Sequence, residues 1–144
     1  MKKILVLCTG NSCRSQIAEG YLKYFAGNQA MVYSAGIEAH GVNPRAIATM
    51  KDDGIDISMQ TSNLAKDYQT IEFDYIITVC DHAKERCPVF SSAAQQFHHQ
   101  FPDPAKVTGT EEEVKRAFEQ VRNRIKAYAM KFVEEHVIPA LHDK

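Results

Sequence analysis

No apolar run in the sequence approaches the ~20 residues that cross a bilayer as a helix, and after Met1-Lys2-Lys3 the chain is apolar only from Ile4 to Cys8. That stretch is shorter than the core of a secretory signal, so a cytoplasmic protein without membrane association is expected. A basic excess is also missing. Seventeen Lys and Arg stand against 18 Asp and Glu, a net charge of −1, which argues against a phosphate-tracking surface and a nucleic-acid partner. With 7 glycines and 5 prolines the chain is not collagen-like, and 44% hydrophobic residues place it outside the disordered class. Repeats, low-complexity tracts and dividing linkers are absent, so residues 1–144 are expected to form one domain, read as a monomer. The six histidines lack metal-ligand spacing, and no metal is expected.

What is present is an alternation of strand and helix signals. Lys2 to Leu7 is a β-branched and leucine-rich run suited to a strand buried on both faces. Arg14 to Ala26 carries apolar residues at helical spacing and stops at Gly27-Asn28. Ala30 to Ser34 reads as a second strand, and Asn43 before Pro44 as the N-cap of a helix running to about Asp53. Phe73 to Val79 is a third strand and Gln96 to Gln100 a short edge strand. Thr110 with Glu113 forms a capping box for a long amphipathic helix to about Val137. The pattern predicts a doubly wound parallel α/β sheet flanked by helices, with the ligand beyond the carboxyl ends of the strands.

Cys8-Thr9-Gly10-Asn11-Ser12-Cys13-Arg14-Ser15 lies at that place, between the first strand and the first helix. Backbone amides of Thr9 to Arg14 can converge on one anion there, helped by the positive end of the helix. The same field is expected to lower the pKa of Cys8 and make it a nucleophilic thiolate. Gly10 is expected to supply a positive φ, Arg14 a planar fork for an oxyanion, and Ser15 a hydroxyl bond to the thiolate. Asp103 before Pro104 reads as a loop carboxylate facing the site, with little capping role because no helix starts before Thr110. A second glycine pattern, Gly36-Ile37-Glu38-Ala39-His40-Gly41, has the spacing of a nucleotide loop. Val42-Asn43 follow it where Lys and Ser or Thr are required, so nucleotide binding is excluded.

Cys-x5-Arg-Ser at the first strand, Tyr33-Ser34-Ala35-Gly36 at the second and the late Asp103-Pro104 resemble the low-molecular-weight protein tyrosine phosphatase fold, which has a four-stranded sheet. Cys8 to Gln16 with Ala18-Glu19-Gly20, Ser34 to Glu38, Cys80 with Cys87-Pro88, and Asp103-Pro104-Ala105 resemble the thioredoxin-coupled arsenate reductases, over nearly the whole length. The resemblance implies that Cys8 attacks arsenate held by Arg14 and the amides of Thr9, Gly10, Asn11, Ser12 and Cys13, with phosphate or sulfate as analogues. It makes Asp103 the general acid and Cys80 and Cys87 the relay that thioredoxin re-reduces, without a bound cofactor. If the third strand lies beside the first, Cys8 and Cys80 end neighbouring strands ~4.8 Å apart, within disulfide reach. If residues 81–86 are helical, Cys80 and Cys87 are ~10.5 Å apart along the axis, and the helix must open for them to bond.

Ala105-Lys106-Val107 stand where tyrosine phosphatases of this fold carry ring-gripping aromatics, which favours a small inorganic oxyanion. Some relatives hold a monovalent cation through Asn, Glu, Ser and Asp. Asn11, Glu19 and Ser34 match, and Asn63 stands at the Asp position. Two alternatives stay open: a tyrosine phosphatase using Cys8, Arg14 and Asp103 alone, and a non-enzymatic thiol redox sensor.

Overall fold

The computed structural model describes residues 1–80 and 93–138. Cys87, and with it the expected helix over 81–86, lies outside the described residues. In chain order the elements are β1 (Lys2–Cys8), α1 (Arg14–Ala26), β2 (Ala30–Gly36), α2 (Pro44–Asp52), β3 (Tyr75–Thr78), β4 (Gln95–His98) and α3 (Glu111–Phe132). The four strands form one parallel sheet in the order β2-β1-β3-β4. This is the fold class that the alternation of signals predicts.

β1 is interior because it can be: Ile4, Leu5, Val6 and Leu7 are at most 1% exposed, so neither face needs a polar residue. It pairs with β2 from Lys2↔Ala30 to Cys8↔Gly36, and with β3 from Ile4↔Tyr75 to Leu7↔Thr78. β2 runs two residues beyond its expected end, since Ala35 and Gly36 still pair with Leu7 and Cys8. The third strand is shorter than the apolar run suggests, although Asp74 and Val79 still bond the backbone of Lys3 and Leu7. The edge strand lies one residue earlier than expected and ends at His98.

Helix boundaries follow their caps. Asn43 accepts from the Arg45 amide at the start of α2, and Thr110 accepts from the Glu113 amide at the start of α3. α3 passes into a π turn at Val133–Val137, where Phe132 and His136 pack on Tyr75 and Phe97. The Asp53 carboxylate joins α1, α2 and α3 by accepting from the Tyr21 hydroxyl at 2.7 Å and from Lys126 Nζ at 2.9 Å. Among the described residues no helix is long and apolar enough to cross a membrane.

Candidate active site

The end of β1 and the start of α1 fix both ends of the loop from Thr9 to Cys13, and the register of β1 beside β3 brings Cys80 to the same end of the sheet. The loop's carbonyls are turned outward. Those of Thr9, Gly10 and Ser12 accept from the amides of Glu38, His40 and Asn43 at 2.8–2.9 Å, and that of Asn11 accepts from Gln16 and Ser62. In trans peptides the next amide points the opposite way. Among the described residues the amides of Gly10, Asn11, Ser12 and Cys13 donate to no protein acceptor, which is the arrangement of an anion cradle.

The residue with positive φ in this loop is Asn11, at 47°, not Gly10 as expected. Asn tolerates the left-handed region better than most residues, and here its side chain is locked. Fully buried, Asn11 donates from Nδ2 to the hydroxyls of Ser15 and Ser34 and accepts at Oδ1 from the Asn63 amide at 2.7 Å. Gly36 is the glycine that the site cannot replace. A Cβ there would stand 2.4 Å from the Glu38 carbonyl, 2.7 Å from that of Thr9 and 2.8 Å from the Asn11 nitrogen.

Cys8 and Cys80 are each 4% exposed and line the same cavity, with the Thr9 hydroxyl 3.2 Å from Cys80 Sγ. The neighbouring Cys80 thiol first, and burial second, raise the Cys8 thiol far above its ordinary value. Arg14 and the Thr9 amide pull the other way and do not prevail. The expected lowering of Cys8 is therefore corrected: the loop's field is present, but a thiol partner distant in sequence outweighs it. Burial, with Asp103 adding to it against Arg14, pushes Cys13 up to about 12.

Arg14 reaches across the sheet end, donating to the Phe101 carbonyl at 2.9 Å with its other terminal nitrogen 3.6 Å from Asp103 Oδ2. Asp103 also caps, contrary to expectation. Its Oδ1 accepts from the Ala105 amide at 3.0 Å and starts a single turn over Pro104–Lys106, too short to register as a helix signal. Ser15 lies fully buried behind the loop and accepts from Asn11; the expected bond to Cys8 is not among its contacts. Cys8, Thr9, Gly10, Ser12, Cys13, Arg14, Cys80 and Asp103 line one cavity of about 660 Å³, which His40, Gln100, Ala105 and Lys106 complete. The sequence marked Lys106 through the missing aromatics after Asp103-Pro104, whereas His40 and Gln100 were passed over, and only the Gly36–Gly41 pattern, set aside as a nucleotide loop, marked the neighbourhood of His40.

The four cation-site positions do converge, but with the wrong atoms. Asn11 turns an amide nitrogen towards Ser34, Ser34 donates to Glu19, and Lys23 pairs with Glu19. A donor nitrogen and an ammonium in that cluster do not fit a monovalent cation.

Residues 3–138 match the family model for low molecular weight phosphotyrosine protein phosphatase. The chain is 50% identical to an arsenate reductase of Halalkalibacterium halodurans over 132 residues, 89% of this chain and 95% of that one. An arsenate reductase of Bacillus subtilis is 48% identical over the same shares. A solved arsenate reductase in its oxidized state superposes with a TM-score of 0.82 at 30% identity, covering 94% of this chain and 98% of that one. Another, in a phosphate binding state, does so with a TM-score of 0.75 at 34% identity and the same coverage. The chain belongs to the low molecular weight phosphotyrosine protein phosphatase family and, within it, to the arsenate reductases.

Proposed function

We propose that this protein reduces arsenate to arsenite with electrons from its own thiols, regenerated by thioredoxin. The observation that carries the reading is a second buried thiol, Cys80, lining the same cavity as Cys8 beside the unpaired loop amides. A phosphatase needs one cysteine there, whereas a reductase needs a second thiol within reach of the first. Arsenate sits on the loop amides and Arg14, and Cys8 passes its thiol proton to a bound arsenate oxygen and attacks arsenic as another oxygen departs with a proton from Asp103. Cys80 then attacks Cys8 Sγ. The sulfur–arsenic bond breaks with its electron pair staying on arsenic, which leaves as arsenite, and a Cys8–Cys80 disulfide remains.

Cys87, outside the described residues, is assigned the next step. It attacks Cys80, frees Cys8 and leaves a Cys80–Cys87 disulfide for thioredoxin to reduce. Thr9 holds Cys80 beside Cys8, and Asn11, Ser15, Gly36 and Asn63 keep the loop in shape. No bound cofactor is needed, because both electrons come from thiols. The turn after Asp103 carries Ala105 and Lys106 on the cavity wall, with no phenol-gripping ring, which favours a small oxyanion over phosphotyrosine. The test is arsenite formation with thioredoxin, thioredoxin reductase and NADPH, run beside p-nitrophenyl phosphate hydrolysis. Sustained arsenite formation only with the thioredoxin system is expected. Phosphate release without arsenite would make the protein a phosphatase, and neither product would leave a redox sensor.

A further inference from the structure

The Gly36–Gly41 segment forms the outer wall of the Cys8 loop, and it places an imidazole at the cavity mouth. The His40 amide is tied to the Gly10 carbonyl at 2.9 Å, which fixes where the side chain starts. The ring lies on Gly10: a Cβ added there would stand 2.5 Å from His40 Nδ1 and 3.1 Å from Cε1. The missing side chain at Gly10 thus leaves room for the close approach of His40. His40 Nε2 is 2.6 Å from Glu38 Oε1, so a carboxylate holds one ring nitrogen and orients the other. The ring lines the cavity that contains Cys8 and Arg14.

The charges around that cavity call for such a group. Arg14 shares its charge with Asp103 at 3.6 Å and gives one donor to the Phe101 carbonyl, so it meets an oxyanion partly engaged. We propose that His40, oriented by Glu38, is a further substrate-binding residue, which in its doubly protonated form gives Nε2–H to Glu38 and Nδ1–H to the outward oxygen of the bound oxyanion. This rests on reading the Cys8 loop as the arsenate site, and it assigns His40 to affinity and not to the chemical step.

The test is binding of inorganic phosphate to the full-length reduced protein by titration calorimetry, which needs no turnover. His40→Gln is expected to weaken phosphate about tenfold, the loss of one charge-assisted hydrogen bond, and His40→Arg to recover most of that affinity. In the reductase assay, KM for arsenate should rise in His40→Gln by a larger factor than kcat falls. His40 is 56% exposed, so both variants should unfold at the wild-type temperature. Binding by His40→Gln within twofold of wild type overturns the inference while leaving the loop assignment intact. Failure of the wild type itself to bind phosphate overturns the loop assignment, and this inference with it.

Discussion

The Cys80 thiol, held by the Thr9 hydroxyl at 3.2 Å, lines the same cavity as Cys8, and its nearness is the first cause that raises the Cys8 pKa. In the proposed mechanism the attacking sulfur is thus restrained by the one that later displaces arsenic from it. Replacing Cys80 removes the largest raising cause and leaves Arg14 and the Thr9 amide acting alone against burial. In Cys80→Ala, alkylation of Cys8 by iodoacetamide should therefore reach its half-maximal rate at a lower pH than in wild type. Fragment-ion mass spectrometry separates Cys8 from Cys13 on their shared tryptic peptide, and Cys87 lies on another. An unchanged or higher midpoint would show that Cys80 does not control Cys8.

Asp103 divides its two oxygens between two tasks, and two substitutions separate them. Asn keeps an oxygen for the Ala105 amide but cannot give up a carboxyl proton, so Asp103→Asn should lose ~10²–10⁴-fold in rate with little change in stability. Alanine loses the cap as well and should cost a further ~1 kcal/mol in urea unfolding. Equal stability losses in the two variants would refute the division.

Local patterns carried most of the fold. The run from Ile4 to Leu7 and the helical spacing after Arg14 are properties of adjacent residues, and both elements stand where those patterns put them. The loop was legible as a place but not in its internal roles. Asn11 is its hub only because Ser34, Ser62 and Asn63 surround it, partners 23 to 52 positions away that no local pattern names. The sign of the Cys8 shift failed for the same reason. Arg14 and the Thr9 amide are neighbours in sequence, whereas the thiol that outweighs them is brought in by pairing of β1 with β3.

The relay predicts a specific trapped species. In Cys87→Ser the first displacement still has both of its thiols, so each protein should release one arsenite and stop as a Cys8–Cys80 disulfide. Non-reducing peptide mapping after arsenate treatment checks this, with the arsenite-to-protein ratio expected near one. Continued turnover with thioredoxin would show that Cys87 is dispensable.

The junction of the three helices should make stability depend on acid. Lys126, and after it Tyr21, hold the Asp53 carboxyl below the usual carboxylate range against the opposing effect of burial. A group whose folded pKa is depressed stabilises above its unfolded pKa, ordinarily ~3.9, and that contribution fades as pH falls through the folded value. Asp53→Asn should therefore cost about 1 kcal/mol at neutral pH, a modest amount because the Lys126 side chain is 42% exposed and the pair partly screened. The difference between variant and wild type should then shrink as pH is lowered from 5 towards 2, where the wild-type carboxylate also loses its charge. Urea midpoints for both proteins across that range measure it. A difference that stays constant down to the lowest pH would mean that Asp53 contributes through shape alone, and that the charge on Lys126 adds nothing to the junction of α1, α2 and α3.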